Sequence, residues 1–443
     1  MQSVGSAGNP FLGSVPTGQV SPTPVSLGLL EAIDRGLKYN LGLLLTEQGT
    51  LAARGARLKA LSDLLPNLQV RLGDSVQQIN LAAFGIPPPA GSSSVIGPFN
   101  VVDARAYFTQ NVIDFQALNK TRAANEGIKA AQYSYQNARD LVVLVVGASY
   151  LQAVANSSRV EAADAQFRTS QALYRQAVDL KNAGMSPGID VLRAQVEMQA
   201  QEQRLLVAQN DLAKQMLTLA RTIGLPGGQQ FTLADKIPYA APVPITLDDA
   251  LKRAFEKRSD YLRAQSLVKA AELNKKAAQG EALPTLGVTA DYGAIGKSPV
   301  NSHGTFSTAA GLRIPIFQGG RVRGDVLQAE SALNQRKAEL DDLRGRIEYE
   351  VRTAFLDVNA ATQQLQVATG ALDLARQQVA QSRDRFAAGV TNNVEVVQAQ
   401  QQQAVAEENY ISSLYAHNFA KLTLARALGV AEDATKKFLG GKP

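Results

Sequence analysis

The sequence predicts an α+β membrane protein, internally duplicated, in which long antiparallel coiled-coil helices are joined to four transmembrane β-strands per chain. Three observations predict it: helix-forming runs of more than 60 residues without proline, short segments of strict apolar/polar alternation behind Leu-Pro breaks, and the return of the whole pattern in the second half.

The chain has 443 residues, 45% of them hydrophobic and 19% charged, which is long enough for two or three domains with real cores. It holds no Cys, which excludes disulfides, thiolate metal sites, a cysteine nucleophile and a lipid-bearing cysteine within these residues. The net charge is +6, but 45 basic residues are interspersed with 39 acidic ones. The densest basic stretch, Lys252 to Lys276, contains Glu256, Asp260 and Glu272 and reads as a solvated helix face, so no nucleic-acid partner is predicted. The longest apolar run, Leu141 to Ala148, is far short of the roughly 18 residues a membrane helix needs. The opening, MQSVGSAGNPFLGSVPTGQVSPTPVSL, has neither the basic nor the apolar region of a signal peptide; its Gly, Ser, Pro and Thr predict an extended arm over residues 1–25.

The duplication is read from paired anchors. LPNLQV (65–70) and LPTLGV (283–288) lie 218 positions apart, each closing a helical run. LTLARTIG (217–224) matches LTLARALG (422–429) at six of eight positions, and the same offset of 205 pairs AGMSPGIDVLRAQ (183–195) with AGVTNNVEVVQAQ (388–400). The first copy is therefore longer between its anchors, with the turn-rich GIPPPAGSSSVIGP (85–98) as the expected site of the excess. The predicted organisation is an arm (1–25), repeat 1 (26–225), a linker (226–245), repeat 2 (246–430) and a tail (431–443).

Each repeat is mostly helix. Asn119–Lys181 and about Arg321–Ala387 lack proline and are rich in Ala, Gln and Leu; the first is on the order of 90 Å of helix at 1.5 Å per residue. Each is followed by a turn and a returning helix, Ile189–Thr222 and Val394–Ala427, so antiparallel coiled-coil hairpins are expected. Frequent Ala at apolar positions, as at Ala360, Ala361, Ala368, Ala371 and Ala375, permits close helix approach.

Four segments alternate with period two. In FNVVDARAYFTQ (99–110), Val102, Ala104, Ala106 and Phe108 share one face, with Asp103, Arg105, Tyr107 and Thr109 on the other. LQVRLGDS (68–75), LGVTADYGA (286–294) and FSTAAGLRIPIF (306–317) repeat the pattern, each near the length of a tilted transmembrane strand. Pro66 and Pro284 mark the break from helix to strand, because proline cannot continue the helical hydrogen bonds and biases its predecessor toward extended geometry. Four strands cannot close a barrel, and lipid cannot satisfy bare edges. Two chains give eight strands and three give twelve; a trimer also supplies enough helical passes to wall a tube, so a 12-stranded barrel in a homotrimer is expected.

The chain resembles the TolC-like outer-membrane efflux factors over about residues 26–430. The resemblance is carried by SLGLLEAIDRGL (26–37) and TLDDALKRAF (246–255) opening the repeats, LPNL and LPTL before the strands, PIFQGGR (315–321) after them, and the Ala-Gly turns followed by DVLRAQ and EVVQAQ. Copy one departs with IDFQALN (113–119) in place of PIFQGGR, and the missing N-terminal Cys points to the unlipidated branch. The resemblance implies a trimeric channel-tunnel in the bacterial outer membrane, its helical tunnel projecting into the periplasm, that is the exit duct of a tripartite efflux or type I secretion system. The implied partners are a periplasmic adaptor protein, an inner-membrane pump of the RND, ABC or MFS type, and outer-membrane lipid. It further implies that acidic residues near the helical tips line the periplasmic aperture, which on this sequence are Asp190 and Glu395, equivalent under the 205 offset. Adaptor docking is expected at the turns, Gly184, Met185 and Ser186 with Gly389, Val390 and Thr391. The competing reading, a soluble periplasmic coiled-coil scaffold or adaptor, does not account for strands with apolar outer faces. An acidic residue in a first helical turn is also favoured by the helix dipole alone.

No catalytic constellation is present. His303 and His417 have no carboxylate or thiolate cluster near them in sequence, the GKS at 296–298 lacks the glycine a P-loop requires, and no G-x-S-x-G or HExxH occurs. No cofactor, metal site or enzymatic activity is predicted.

Overall fold

The computed structural model describes residues 9–88, 91–235, 245–388, 390–391 and 393–433. The helices are α1 (Leu29–Tyr39), α2 (Leu41–Ser62), α3 (Phe115–Asn182), α4 (Gly188–Ile223), α5 (Leu247–Lys257), α6 (Ser259–Gly280), α7 (Arg321–Ala387) and α8 (Asn393–Ala427). The strands are β1 (Val25–Leu27), β2 (Asn67–Asn80), β3 (Val95–Ile113), β4 (Phe231–Leu233), β5 (Thr285–Gly296) and β6 (Ser302–Arg313). Two helices, two long strands and two very long helices thus occur twice in order. The chain divides into two compact units, one of residues 1–49, 132–262 and 342–443, the other of residues 50–131 and 263–341.

The second unit is organised around a four-stranded antiparallel sheet, ordered β2-β3-β5-β6. Each repeat supplies one hairpin, and β3 pairs with β5 to join them. Strand formation begins one residue after each proline: α2 ends at Ser62 and β2 starts at Asn67, while α6 ends at Gly280 and β5 starts at Thr285. In-register rows align the apolar residues on one face. Leu68 pairs with Phe108 and Phe108 with Ala290; Val70 pairs with Ala106, Ala106 with Tyr292 and Tyr292 with Phe306. These side chains have nothing over them: Leu68, Val70, Leu72, Tyr292, Phe306 and Leu312 are all well exposed. The remaining face carries Gln69, Arg71, Asp103, Arg105, Tyr107 and Asp291.

The expected strand bounds need correcting. The fourth strand is Ser302–Arg313, not 306–317, because Pro315 has no N–H to give to a ladder and the chain leaves the sheet before it. The first hairpin is longer than expected. β3 already begins at Val95, inside the segment assigned to the loop, and a 3₁₀ turn over Leu81–Phe84, capped by Asn80 accepting from the Ala82 N–H, fills part of the rest. Residues 89–90 of that loop lie outside the described residues. Beside the sheet, Thr121 Oγ1 donates to Ala60 O (2.9 Å), and a Cβ on Gly280 would come within 2.9 Å of Gln116 N, so α6 ends hard against the start of α3.

The first unit is helical. Its core gathers Ile33 of α1, Val142, Val143, Val146 and Leu151 of α3, Leu219 and Ile223 of α4, and Leu422 of α8. The run Leu141–Ala148 that dominates this core belongs to a longer apolar stretch than the sequence reading allowed: one 18-residue window of α3 has a mean hydropathy of 1.5. More than half of that window is buried inside the protein, which makes it a core helix. Along α7 the buried positions Val351, Ala354, Val358, Ala361, Leu365, Ala368, Leu372, Ala375 and Val379 alternate in steps of three and four, the seam of a coiled coil. Ala360 and Ala371, expected among the packed positions, stand instead on the exposed side. They fall within a second stripe formed by Tyr349, Leu356, Val367 and Leu374, each about 70% exposed.

Arm residues lie along this unit as extended chain. Val15 N donates to Tyr39 O (2.9 Å), Leu41 N to Gly13 O (3.0 Å), and β1 pairs in parallel with β4, which falls within the expected linker. Residues 1–8 of the arm, 236–244 of the linker and 434–443 of the tail lie outside the described residues. Tyr150, fully buried, places its hydroxyl between Leu27 O (3.0 Å) and the Asp235 carboxylate (3.1 Å), which itself accepts from the Leu29 N–H at the head of α1 (2.8 Å).

A buried ionic cluster in this unit sets a pH dependence. Burial pushes the Asp140 carboxyl up to about 6, against the attraction of Arg426. Its folded pKa therefore lies above the unfolded value of about 3.9, so the stability associated with its neutral form is present below about pH 4 and lost as pH rises through about 6. The Asp140→Asn variant is expected to be more stable than the parent at pH 8, by about 3 kcal/mol at most, with the difference vanishing near pH 4. Thermal unfolding in detergent across that range measures it; a variant less stable than the parent at pH 8 contradicts the assignment.

Candidate functional site: the helical turns and the groove between α4 and α8

The turns closing the two helical hairpins are built alike. In the first, Met185 N donates to Leu180 O and Ala183 N to Asp179 O, both at 2.9 Å. In the second, Val390 N donates to Arg385 O (2.9 Å) and Ala388 N to Asp384 O (3.0 Å), each bond displaced by 205 residues. Gly184 sits at φ 71°, the left-handed geometry that ends a helix and that residues with a Cβ rarely adopt. Its counterpart Gly389 lies outside the described residues. Met185 and Val390 point into solvent at about 70% exposure.

The returning helices start at Gly188 and Asn393, one residue before the expected starts, which makes Asp190 and Glu395 the third residue of each. Ser186 Oγ donates to Asp190 Oδ2 (2.9 Å), and at the equivalent place Thr391 Oγ1 donates to Glu395 Oε2. Each carboxylate also faces an arginine: Arg193 Nη1 is 3.5 Å from Asp190, and Arg385 Nη1 is 3.6 Å from Glu395. The hydroxyls four residues before the acids were legible in the sequence as S-x-x-x-D and T-x-x-x-E. Arg193, three residues after Asp190 on the same helix, was legible too; Arg385 was not, because it comes from the opposite helix of the hairpin.

Just beyond the turns, the first parts of α4 and α8 enclose an open groove of about 550 Å³, lined by Ile189, Leu192, Arg193, Val196, Val394 and Val397 with Glu197, Gln398 and Gln401. Four pairs of this lining are repeat equivalents at the 205 offset: Ile189 with Val394, Leu192 with Val397, Arg193 with Gln398, and Val196 with Gln401. The start of α4 therefore presents Ile189, Leu192 and Val196 to the groove, and that of α8 presents Val394 and Val397. Glu197, nearly buried, accepts from Gln201 Nε2 (2.7 Å) and across the groove from Gln401 Nε2 (3.2 Å), tying α4 to α8. The sequence reading missed Glu197, which has no acidic counterpart at 402 to draw the eye. Among the described residues no group of three or more His, Cys, Asp or Glu side chains is placed to hold a metal ion. His417 is fully buried with its Nδ1 3.4 Å from Thr362 Oγ1.

A duplicated chain whose repeats each pair a lipid-compatible hairpin with a long helical hairpin defines a class, that of outer-membrane duct proteins. The model of the family described as outer membrane efflux protein matches residues 37–225 and 250–430, and the chain belongs to that family. Outer membrane efflux protein BepC of Brucella suis is 24% identical over 349 residues, covering 72% of this chain and 73% of that protein. The pyoverdine export outer membrane protein OpmQ of Pseudomonas putida is 24% identical over 397 residues, covering 86% of this chain and 82% of that one. Among solved structures, the CmeC outer membrane channel of Campylobacter jejuni superposes with a TM-score of 0.79 at 15% identity, covering 100% of this chain and 95% of that one. The open-state MtrE outer membrane channel of Neisseria gonorrhoeae gives 0.75 at 16% identity, covering 94% of each. The protein is thus an efflux protein of the outer membrane with the channel fold of that family.

Replacing Glu197 by Ala leaves the Gln401 amide without its acceptor in a half-apolar groove, at a cost of about 1–3 kcal/mol. Combining Glu197→Ala with Gln401→Leu is expected to recover part of that loss. Thermal denaturation of the two single variants and the double variant tests this, and strictly additive losses contradict a bond between the two helices.

Proposed function

We propose that three copies of the chain assemble into a homotrimer whose sheets close one 12-stranded barrel in the outer membrane, while the helical hairpins wall a periplasmic tunnel. The duct is built from repeats 26–225 and 246–430, joined by the linker 226–245 and flanked by the arm 1–25 and the tail 431–443. The observation that carries this reading is the four-stranded sheet, with an apolar face open to the outside and, among the described residues, two unpaired edges, β2 and β6. Lipid covers the apolar face, but only further strands satisfy the edges, and bacterial barrels need at least about eight. The exposed stripe Tyr349, Leu356, Val367 and Leu374 along α7 supplies a matching surface for a neighbouring copy in the helical part.

As an exit duct, the trimer receives substrate from an inner-membrane pump of the RND, ABC or MFS type through a periplasmic adaptor, in a tripartite efflux or type I secretion system. Adaptor hairpins dock at the turns formed by Gly184, Met185 and Ser186 and by Gly389, Val390 and Thr391. The apolar exposure of Met185 and Val390 supports this. Asp190 and Glu395, one pair per copy, ring the periplasmic aperture, and six carboxylates in a narrow passage create a negative potential that concentrates cations.

Two measurements test the reading. The particle purified in detergent is expected to have the mass of three chains, and in planar bilayers the double change Asp190→Asn with Glu395→Gln is expected to lower cation selectivity severalfold. A stable monomer with full strand content ends the trimer, and unchanged selectivity shows that the acids only cap their helices. For the turns, Gly184→Asp, judged with the trimer mass as control, is expected to abolish export while trimers persist; normal export places adaptor docking elsewhere.

A further inference from the structure

The polar face of the sheet carries a charge that the duct reading leaves unused. Arg71 of β2 and Arg105 of β3 are directly paired in register, which sets two like charges side by side. Arg105 is fully compensated: its Nε donates to Asp103 Oδ1 (2.7 Å) and its Nη1 to Asp291 Oδ1 (3.1 Å) on the next strand. Gly293, the register partner of Arg105 on β5, makes that reach possible, since a Cβ there would stand 2.8 Å from Arg105 Cγ. Arg71 is placed differently. Its guanidinium lies over the Tyr107 ring at 5.0 Å, and Arg105 approaches the same ring at 5.2 Å. Among the described residues no carboxylate lies within ion-pair distance of Arg71, and the side chain is exposed. The stack fixes the position of this guanidinium without neutralising it. Its own row continues through Arg105 to Gly293 and Thr305, and Gly73 follows it on the same face of β2.

We propose that Arg71 is an anion-recognition residue of the sheet's polar face, which holds carboxylate- or phosphate-bearing solutes by paired hydrogen bonds from its guanidinium. Tyr107 is a positioning residue: its ring holds the Arg71 guanidinium, while Arg105, tied to Asp103 and Asp291, sits beside the same ring. The inference rests on the exit-duct reading, which turns this face into the barrel lumen and brings one Arg71 from each copy to a single level. At that level an anion leaving the duct meets a fixed positive charge.

The test uses the full-length channel in planar bilayers with inorganic pyrophosphate or citrate added on the barrel side. In the parent, millimolar probe is expected to block the current. Arg71→Gln is expected to raise the half-blocking concentration at least tenfold, and Arg71→Lys, which keeps the charge but loses the planar fork, to fall between the two. A half-blocking concentration for Arg71→Gln within twofold of the parent, or a parent that neither probe blocks, overturns the anion site while leaving the duct intact. A parent preparation that forms no channels at all overturns the duct reading and the anion site with it.

Discussion

A strand edge inside a bilayer has nothing to hydrogen-bond with, and this constraint governs how the sheet of the second unit has to be completed. Water satisfies the free N–H and C=O groups of β2 and β6 for a chain in solution, whereas hydrocarbon does not, and each unpaired group costs several kcal/mol there. The same four strands offer lipid an unbroken apolar face, from Leu68 through Phe108 to Ala290 and from Val70 through Ala106 and Tyr292 to Phe306. A chain with that face and those edges is incomplete alone. In the proposed assembly, closure by further copies answers the edges and puts Arg71, Arg105, Asp103 and Asp291 on the inner, aqueous surface at once.

The first unit shows how a duplication keeps a joint while changing its chemistry. In each repeat the last helix ends on a glycine in the left-handed region, Gly224 (φ 71°) and Gly429 (φ 69°), which docks on the break between the first two helices. Contact is tight in both: a Cβ on Gly224 would stand 2.8 Å from Tyr39 Cβ, and one on Gly429 would stand 2.7 Å from Arg258 N. The break residue differs. Asn40 is fully buried and donates to Phe11 O of the arm (2.7 Å), so the first joint is sealed by chain from outside the repeat. Arg258 is equally buried and is held by Asp260 (2.7 Å) and Glu350 (2.6 Å), so the second is sealed by a buried ion network. A buried guanidinium is tolerable only when paired in this way, and removal of one carboxylate would leave a charge stranded. The rise in the Asp140 pKa belongs to the same crowded neighbourhood, with Arg426 and Asp260 among its influences.

Much of this was legible in the sequence because it rests on periodicity and punctuation. Period-two alternation put Val102, Ala104, Ala106 and Phe108 on one face, and proline marked where β2 and β5 begin, since both are consequences of local geometry. The end of the fourth strand was misread because alternation continues through Ile314 and Ile316 although Pro315 forbids the ladder. Ala360 and Ala371 were assigned to packed positions on composition; only the three-four spacing of the buried set on α7 separates them from Ala361 and Ala368. Contacts between distant segments left no local mark. The ion pair of Arg385 with Glu395, the bond of Glu197 to Gln401 and the reach of Arg105 over Gly293 to Asp291 each depend on which helix or strand lies alongside, which spacing along one chain does not encode.

The charged groups of the two candidate sites differ in how far their partners cancel them. Arg385 and Glu395 are 3.6 Å apart and both partly exposed, and Arg193 and Asp190 are 3.5 Å apart with the arginine mostly in solvent. Exposed pairs of that geometry contribute about 0–1 kcal/mol and are screened by salt, so the arginines orient the two carboxylates more than they neutralise them. The hydroxyls of Ser186 and Thr391 act in the same sense, fixing the acids at the start of their helices. Arg105 is the opposite case, saturated by two carboxylates on a crowded sheet. Arg71 stands between these extremes, immobilised by an aromatic ring that carries no charge. The proposed cation-favouring aperture and the proposed anion site at Arg71 therefore rest on the same device, in which a charged side chain is held in place by a neutral or weakly coupled partner and its field is left to act on whatever passes.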